Sequence, residues 1–158
     1  MSDTAYRSML EHWNQQYTET NALYHEVAVR FGLSDSAFWL LYALRPLPPD
    51  AACTQNELSA TCCLPKQTVN SAVSAMVQRG MVVLRPVPGA RNAKAVCLTD
   101  AGRALVERTI VPLYRAEQTA LAELGPDGSR QLLALSQSFL DNLRAAFAML
   151  PAPDTEEP

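Results

Sequence analysis

The chain has 158 residues, 48% of them hydrophobic and 18% charged, with a net charge of −3; that suits one folded domain with a real core and is short for two. This composition excludes a wholly disordered chain, and no apolar run is long enough to span a membrane. With neither the basic start nor the apolar stretch of a secretory signal, the expected location is cytoplasmic, where Cys53, Cys62, Cys63 and Cys97 are free thiols.

Tyr6, Leu10, Trp13, Tyr17, Tyr24, Val27 and Phe31 recur at helical spacing and predict a long first helix over 6–31, ended by Gly32. Ser34 is the expected N-cap of a second helix, "DSAFWLLYALRPL", apolar nearly all round and therefore central, which the prolines of "RPLPPD" stop. Thr54 and Glu57 have the spacing of a capping box and announce a short third helix, "QNELSATC". After a tight turn, residues 64–80 form the fourth, with Pro65 in its first turn and Gly80 at its end. Val69, Val73, Met76 and Val77 mark its buried face.

"MVVLRPVPGARNAKAVCLT" reads as a β-hairpin with Arg91 and Lys94 near its tip. Thr99 caps a fifth helix running to about residue 124 and bent at Pro112, where a donor is lost and the ring crowds the preceding turn. Gly125 and Pro126 separate it from a sixth, striped by Leu132, Leu135, Phe139, Leu143, Phe147 and Leu150. Residues 151–158, "PAPDTEEP", have nothing to bury and are expected to be a disordered tail.

Two short helices joined by a tight turn make a helix-turn-helix. Its second helix exposes not Glu and Lys but small hydrogen-bonding groups. Gln67 and Asn70 carry the paired donor and acceptor that match an adenine edge, Lys66 reaches guanine or phosphate, and Thr68, Ser71 and Ser74 suit phosphate oxygens. Between residues 54 and 103, Lys66, Arg79, Arg85, Arg91, Lys94 and Arg103 face only Glu57 and Asp100, so a basic middle sits between acidic flanks. That is the electrostatic footprint of a surface offered to a polyanion.

Other chemistries find little support. There is no phosphate-binding glycine loop and no G-x-S-x-G, and neither histidine has a nucleophile beside it, so an enzyme is not expected, nor a cofactor. His12 and His25 lie far apart and no cysteine pair has C-x-x-C spacing, so no metal site is expected. Cys63 precedes the fourth helix and Lys66, which leaves a thiol redox sensor built on Cys62 and Cys63 as an alternative. A dimerisation protein that does not bind DNA is another.

The order of elements resembles the MarR family of winged helix-turn-helix transcriptional regulators. The stretches that carry the resemblance are "QNELSATCCLPKQTVNSAVSAMVQRGMVV", "CLTDAG" and "VPLYRAEQTAL". It implies a mainly α fold of six helices plus a β-hairpin wing, in one domain over 1–150. Residues 1–45 and 105–150 would form a dimerisation region with long N- and C-terminal helices, and 53–104 the DNA-binding lobe. The resemblance further implies a homodimer on a palindromic operator in double-stranded DNA, repressing until a small aromatic or apolar effector binds. Tyr24, His25, Trp39 and Tyr42 would contribute to the effector pocket. Family wings carry an Asp-x-Arg pair at the tip, whereas this chain has Ala90 and Asn92 there, with Arg91 between them.

Overall fold

The computed structural model describes residues 3–48, 51, 53–87, 89 and 93–151. The wing-tip residues Ala90, Arg91 and Asn92 and the tail from 152 lie outside the described residues. In chain order the elements are α1 Asp3–Arg30, α2 Asp35–Leu44, α3 Gln55–Cys62, α4 Lys66–Gln78, β1 Val82–Pro86, β2 Lys94–Leu98, α5 Asp100–Glu123 and α6 Gly125–Ala148. This is the expected winged helix-turn-helix order of six helices and a hairpin. The chain divides into two compact units, 1–112 and 113–158, that part at Pro112 inside α5.

The first unit has the core. Phe38, Leu40, Leu41 and Leu44 of α2 are buried with Leu58 of α3, Val69, Val73 and Met76 of α4, Val82 and Val96 of the hairpin and Ile110 of α5. Central burial of α2 follows from its nearly continuous apolar sequence. It packs against α1, α3 and α4. Ser34 caps its start, the hydroxyl accepting from the Ala37 N–H at 3.3 Å, and the helix ends earlier than the sequence suggests: the Arg45 N–H donates to Leu41 O before the first proline.

Two expectations about α4 are corrected. Pro65 occupies the N-cap position rather than the first turn, and Val77 is 39% exposed while Ala72 is buried in its place. Val77 follows Met76, so it is rotated by about 100° from the buried stripe and falls at its margin.

The hairpin is antiparallel, with Val82 opposite Leu98 and Pro86 opposite Lys94. An isolated bridge between Thr54 and Ala95, with the Val96 N–H donating to Cys53 O at 2.7 Å, ties the start of α3 to the wing. At the base of the hairpin Thr99 makes a small knot. Its hydroxyl lies 2.6 Å from Gly80 O and 3.1 Å from Met81 O, and accepts from the Gly102 N–H at 3.0 Å, while its own N–H donates to Met81 O. Gly80 has φ +68, the left-handed value that lets the chain leave α4 and enter β1.

The outer stripes expected of the terminal helices are present and uncovered in the single chain. Along α1, Tyr6 is 61% and Tyr17 63% exposed, with Leu10 and Trp13 also exposed. In the second unit no residue of α6 is buried; Leu135 and Phe147 are exposed and Phe139 and Leu143 half-buried. α5 continues past Pro112 to Glu123, and the turn into α6 is stapled by the Ser129 hydroxyl, within hydrogen-bond distance of Leu121 O and Gly125 O.

A Cβ at Gly102 would lie 2.0 Å from Met81 O, so no side chain fits without moving the backbone where α5 meets the wing. Gly102→Ala is expected to destabilise the protein by about 1–3 kcal/mol, by the cost of overpacking a close contact. At Gly128 in α6 the nearest atom to a Cβ is Leu124 Cβ at 3.3 Å, so Gly128→Ala should be near neutral. Urea denaturation of the two variants checks this; equal midpoints would mean that the α5–wing contact yields easily.

Candidate nucleic-acid interface

The helix-turn-helix is set by short-range bonds. The Thr54 hydroxyl accepts from the Glu57 N–H at 3.3 Å, and the Glu57 carboxylate accepts from the Thr54 N–H at 2.6 Å, closing both halves of the capping box. The Thr54 amide first, and then its hydroxyl, hold the Glu57 carboxyl below the usual range. At the turn Cys63 takes φ +51, a left-handed conformation that costs an L-residue about 1–2 kcal/mol. What offsets it is a local clasp: Leu64 N–H donates to Ser59 O at 3.1 Å and the Ser59 hydroxyl returns to Leu64 O at 2.6 Å.

The clasp aims α4. With Val69, Val73 and Met76 essentially fully buried, Lys66, Gln67, Asn70, Ser71 and Ser74 are exposed on the other side, and Thr68 is half-buried at the edge. No side chain caps the start of α4, so its first-turn amides keep their donors for an incoming acceptor. One exposed group is already engaged: the Ser74 hydroxyl donates to Asn70 O at 2.8 Å, which leaves it only acceptor capacity. Past the end of the helix, Arg79 donates to Gly32 O at 3.1 Å and so joins α4 to the α1–α2 corner.

The hairpin and the start of α3 enclose a cleft of about 310 Å³ lined by Thr54, Gln55, Asn56, Leu84, Ala93 and Lys94. Lys94 is exposed there, opposite Pro86. Read from spacing alone, Gln55 and Asn56 have no role beyond helix formation. Their nearness to Lys94 depends on the Thr54–Ala95 bridge, a long-range pairing for which the local pattern holds no signal. Arg91, the other wing cation expected at the interface, is outside the described residues.

On the far side of α2, Tyr24, Phe38, Trp39 and Tyr42 form a connected aromatic cluster, with Tyr24 and Trp39 centroids 4.9 Å apart and the Arg45 guanidinium 4.9 Å over the Tyr42 ring. A cleft of about 160 Å³ opens beside it, lined by Asn21, Tyr24, His25, Asp35, Phe38 and Trp39. His25 Nδ1 lies 2.9 Å from the Asp35 carboxylate at its rim. Three of the four pocket residues read from the sequence meet here; Tyr42 does not line this cleft, but its ring makes tilted contacts with Phe38 and Trp39.

The cysteines divide by environment. Burial, and then the neighbouring Cys63, push the Cys62 thiol up, and its Sγ donates to Trp39 O at 3.6 Å. Burial, followed by Glu57, Cys62 and Cys97, pushes Cys53 up as well. Both remain protonated thiols rather than nucleophilic thiolates. Cys63 is exposed. Among the described residues no group of three His, Cys, Asp or Glu side chains could hold a metal ion, and no single helix is long and apolar enough to cross a membrane.

Residues 31–91, from the end of α1 to the wing, match a model of the MarR family. The fold matches that of NMB1585, a MarR family regulator from Neisseria meningitidis, with a TM-score of 0.73 at 17% identity over 89% of this chain and 96% of that one. It also matches MepR of S. aureus, solved as a DNA complex, with a TM-score of 0.66 at 19% identity over 90% of this chain and 99% of that one. BpsR of Bordetella bronchiseptica, whose DNA binding is regulated by 6-hydroxynicotinic acid, matches with a TM-score of 0.64 at 22% identity over 83% of this chain and 98% of that one. No curated protein matches the chain in sequence. Residues 31–91 thus match the MarR family model, and the fold of the chain is the winged-helix fold of solved MarR-family regulators.

Proposed function

We propose that the protein is a sequence-specific DNA-binding repressor that acts as a homodimer on a palindromic operator and is released by a small-molecule effector. The observation that carries this reading is the exposed face of α4. Lys66, Gln67, Asn70 and Ser71 stand clear of the core on a helix whose opposite side is locked into it, the arrangement that lets one helix enter a major groove. Lys94 at the outer end of the wing ladder, and Arg91 in the loop sequence beyond it, supply phosphate-neutralising charge. The first-turn amides of α4 add donors for the same backbone.

A homodimer accounts for the uncovered apolar stripes of α1 and α6. Tyr6, Leu10, Trp13 and Tyr17 on one helix and Leu135, Phe139, Leu143 and Phe147 on the other would be costly to leave in water, and a second copy buries both. In this reading 1–45 and 105–150 form the dimerisation region and 53–104 the DNA-binding lobe. Two copies related by a two-fold axis present two reading helices, so the operator shares that symmetry. The cleft beside Tyr24, His25 and Trp39 is the effector site. Its walls are aromatic, its rim holds His25, and it adjoins the α1–α2 corner that Arg79 links to α4. A ligand that prefers a dimer with wrongly spaced reading helices lowers DNA affinity by linkage.

Fluorescence anisotropy against a duplex selected by the protein from a random pool tests the reading. Gln67→Ala and Asn70→Ala should each cost about 1–3 kcal/mol on the selected duplex and little on a random one. Equal losses on every sequence would defeat direct readout. Sedimentation at micromolar concentration should give the dimer mass, and Phe139→Glu should shift it toward the monomer; a monomeric wild type would remove the dimer. A panel of aromatic acids and phenols should include a compound that lowers affinity for the selected duplex in the wild type and fails to do so in Trp39→Ala. A panel without effect would sink the release mechanism.

A further inference from the structure

The α1–α2 corner separates two clefts. One lies against α4, with Ser34, Ser36, Gln67 and Thr68 in its lining and no charged side chain among the described residues that line it. The other is the aromatic cleft beside Tyr24, Phe38 and Trp39, and Asp35, which stands between the two serines in the chain, lines that one. We propose that the aromatic cleft selects a single aromatic ring bearing a cationic nitrogen donor, an amidinium or a protonated amine, and discriminates against aromatic carboxylates. The inference rests on the effector site proposed above and supplies the class of ligand that site takes.

Size sets the first limit. A cleft of about 160 Å³ is close to the ~150 Å³ cavity that holds one benzene molecule, so it takes one ring with a small polar group reaching the rim. The ring faces set the second. Tyr24, Phe38 and Trp39 meet with centroids 4.9 to 6.2 Å apart and no two rings parallel, so the wall is built of aromatic surface, whose faces carry the negative potential that attracts a cation. The same cluster already holds one cation: the Arg45 guanidinium lies 4.9 Å from the centroid of Tyr42, a ring that does not line the cleft.

The polarity of the rim sets the third. Asp35 Oδ1 accepts from His25 Nδ1 at 2.9 Å, since a carboxylate has no proton to give. The second carboxylate oxygen is left to accept, and in the neutral imidazole with its proton on Nδ1 the other nitrogen is an acceptor too. The Asn21 carboxamide can turn its oxygen the same way. Acceptors and one negative charge thus mark the rim, and among the described residues no Lys or Arg lines this cleft. An aromatic acid would bring its carboxylate against Asp35 with no cation to receive it. A phenol can still donate its O–H, while an amidinium or ammonium satisfies the carboxylate and the ring faces together. Both side chains of the His25–Asp35 pair are more than half exposed, so water screens the attraction and the discrimination is modest.

Isothermal titration of the wild-type protein with benzamidinium, benzoate and benzyl alcohol compares three one-ring probes of similar size and different charge. Benzamidinium should bind about tenfold more tightly than benzoate, with benzyl alcohol between them. Asp35→Asn should remove most of this preference, acting far more on benzamidinium than on benzyl alcohol. Asn21→Asp, at an exposed position in the lining of the same cleft, should enlarge it, and urea midpoints check the folding of both variants. Benzoate as tight as benzamidinium, a preference unchanged in both variants, or no binding of any probe at millimolar concentration would each overturn the ligand class. Anisotropy on the selected duplex separates this from the effector reading. Benzamidinium that binds with the expected preference and leaves DNA affinity untouched would uphold the ligand class and overturn release through this cleft.

Discussion

One-sided burial of α4 is the constraint on which the rest of the molecule depends. Val69, Val73 and Met76 are sealed into a core shared with α2, α3 and β1, and each contributes about 1.5–3 kcal/mol by leaving water. Because a helix turns every 3.6 residues, fixing that stripe also fixes which side chains face outward. The polar face therefore needs no stabilising contacts of its own, and its residues are free to be chosen for what they touch. That freedom explains how a helix with amides and hydroxyls in place of the usual Glu and Lys remains well anchored.

Around this anchor the lobe is held by a few polar joints where the chain changes direction. The capping box starts α3, the Ser59–Leu64 clasp shapes the turn, and Thr99 closes the wing onto the end of α4. Arg79 and the His25–Asp35 pair then bring the α1–α2 corner into the same framework. The corner is thus flanked by two clefts, one aromatic and one polar.

Much of this was legible in the sequence wherever the cause was local. α3 begins and ends where "QNELSATC" does, because a capping box and a tight turn are written in adjacent residues. The hairpin, the caps by Ser34 and Thr99 and the uncovered stripes of α1 and α6 were equally readable from spacing. What escaped was tertiary. The apolar nature of Val77 points to the core, and only the orientation of α4 puts it at the margin and buries Ala72. The approach of Gln55 and Asn56 to Lys94 and of Ser34 and Ser36 to α4 joins residues distant in the chain. The reason for Gly102 is a carbonyl 21 positions earlier, with which nothing in its own neighbourhood suggests a contact.

The knot at Thr99 has a consequence for how such a protein can diverge. Residues 81 and 99 are joined by the Thr99 N–H to Met81 O bond, so the wing leaves and re-enters the lobe at nearly one point. A loop whose two ends are clamped together can lengthen, shorten or change its charge while the geometry at its base stays fixed, at an entropic cost that grows only slowly with length. The wing is in that sense a cassette. Exchanging the segment between these two residues for that of another winged-helix protein would leave α4 and α5 where they are, and the breadth of the contacted surface could be altered independently of the bases that are read.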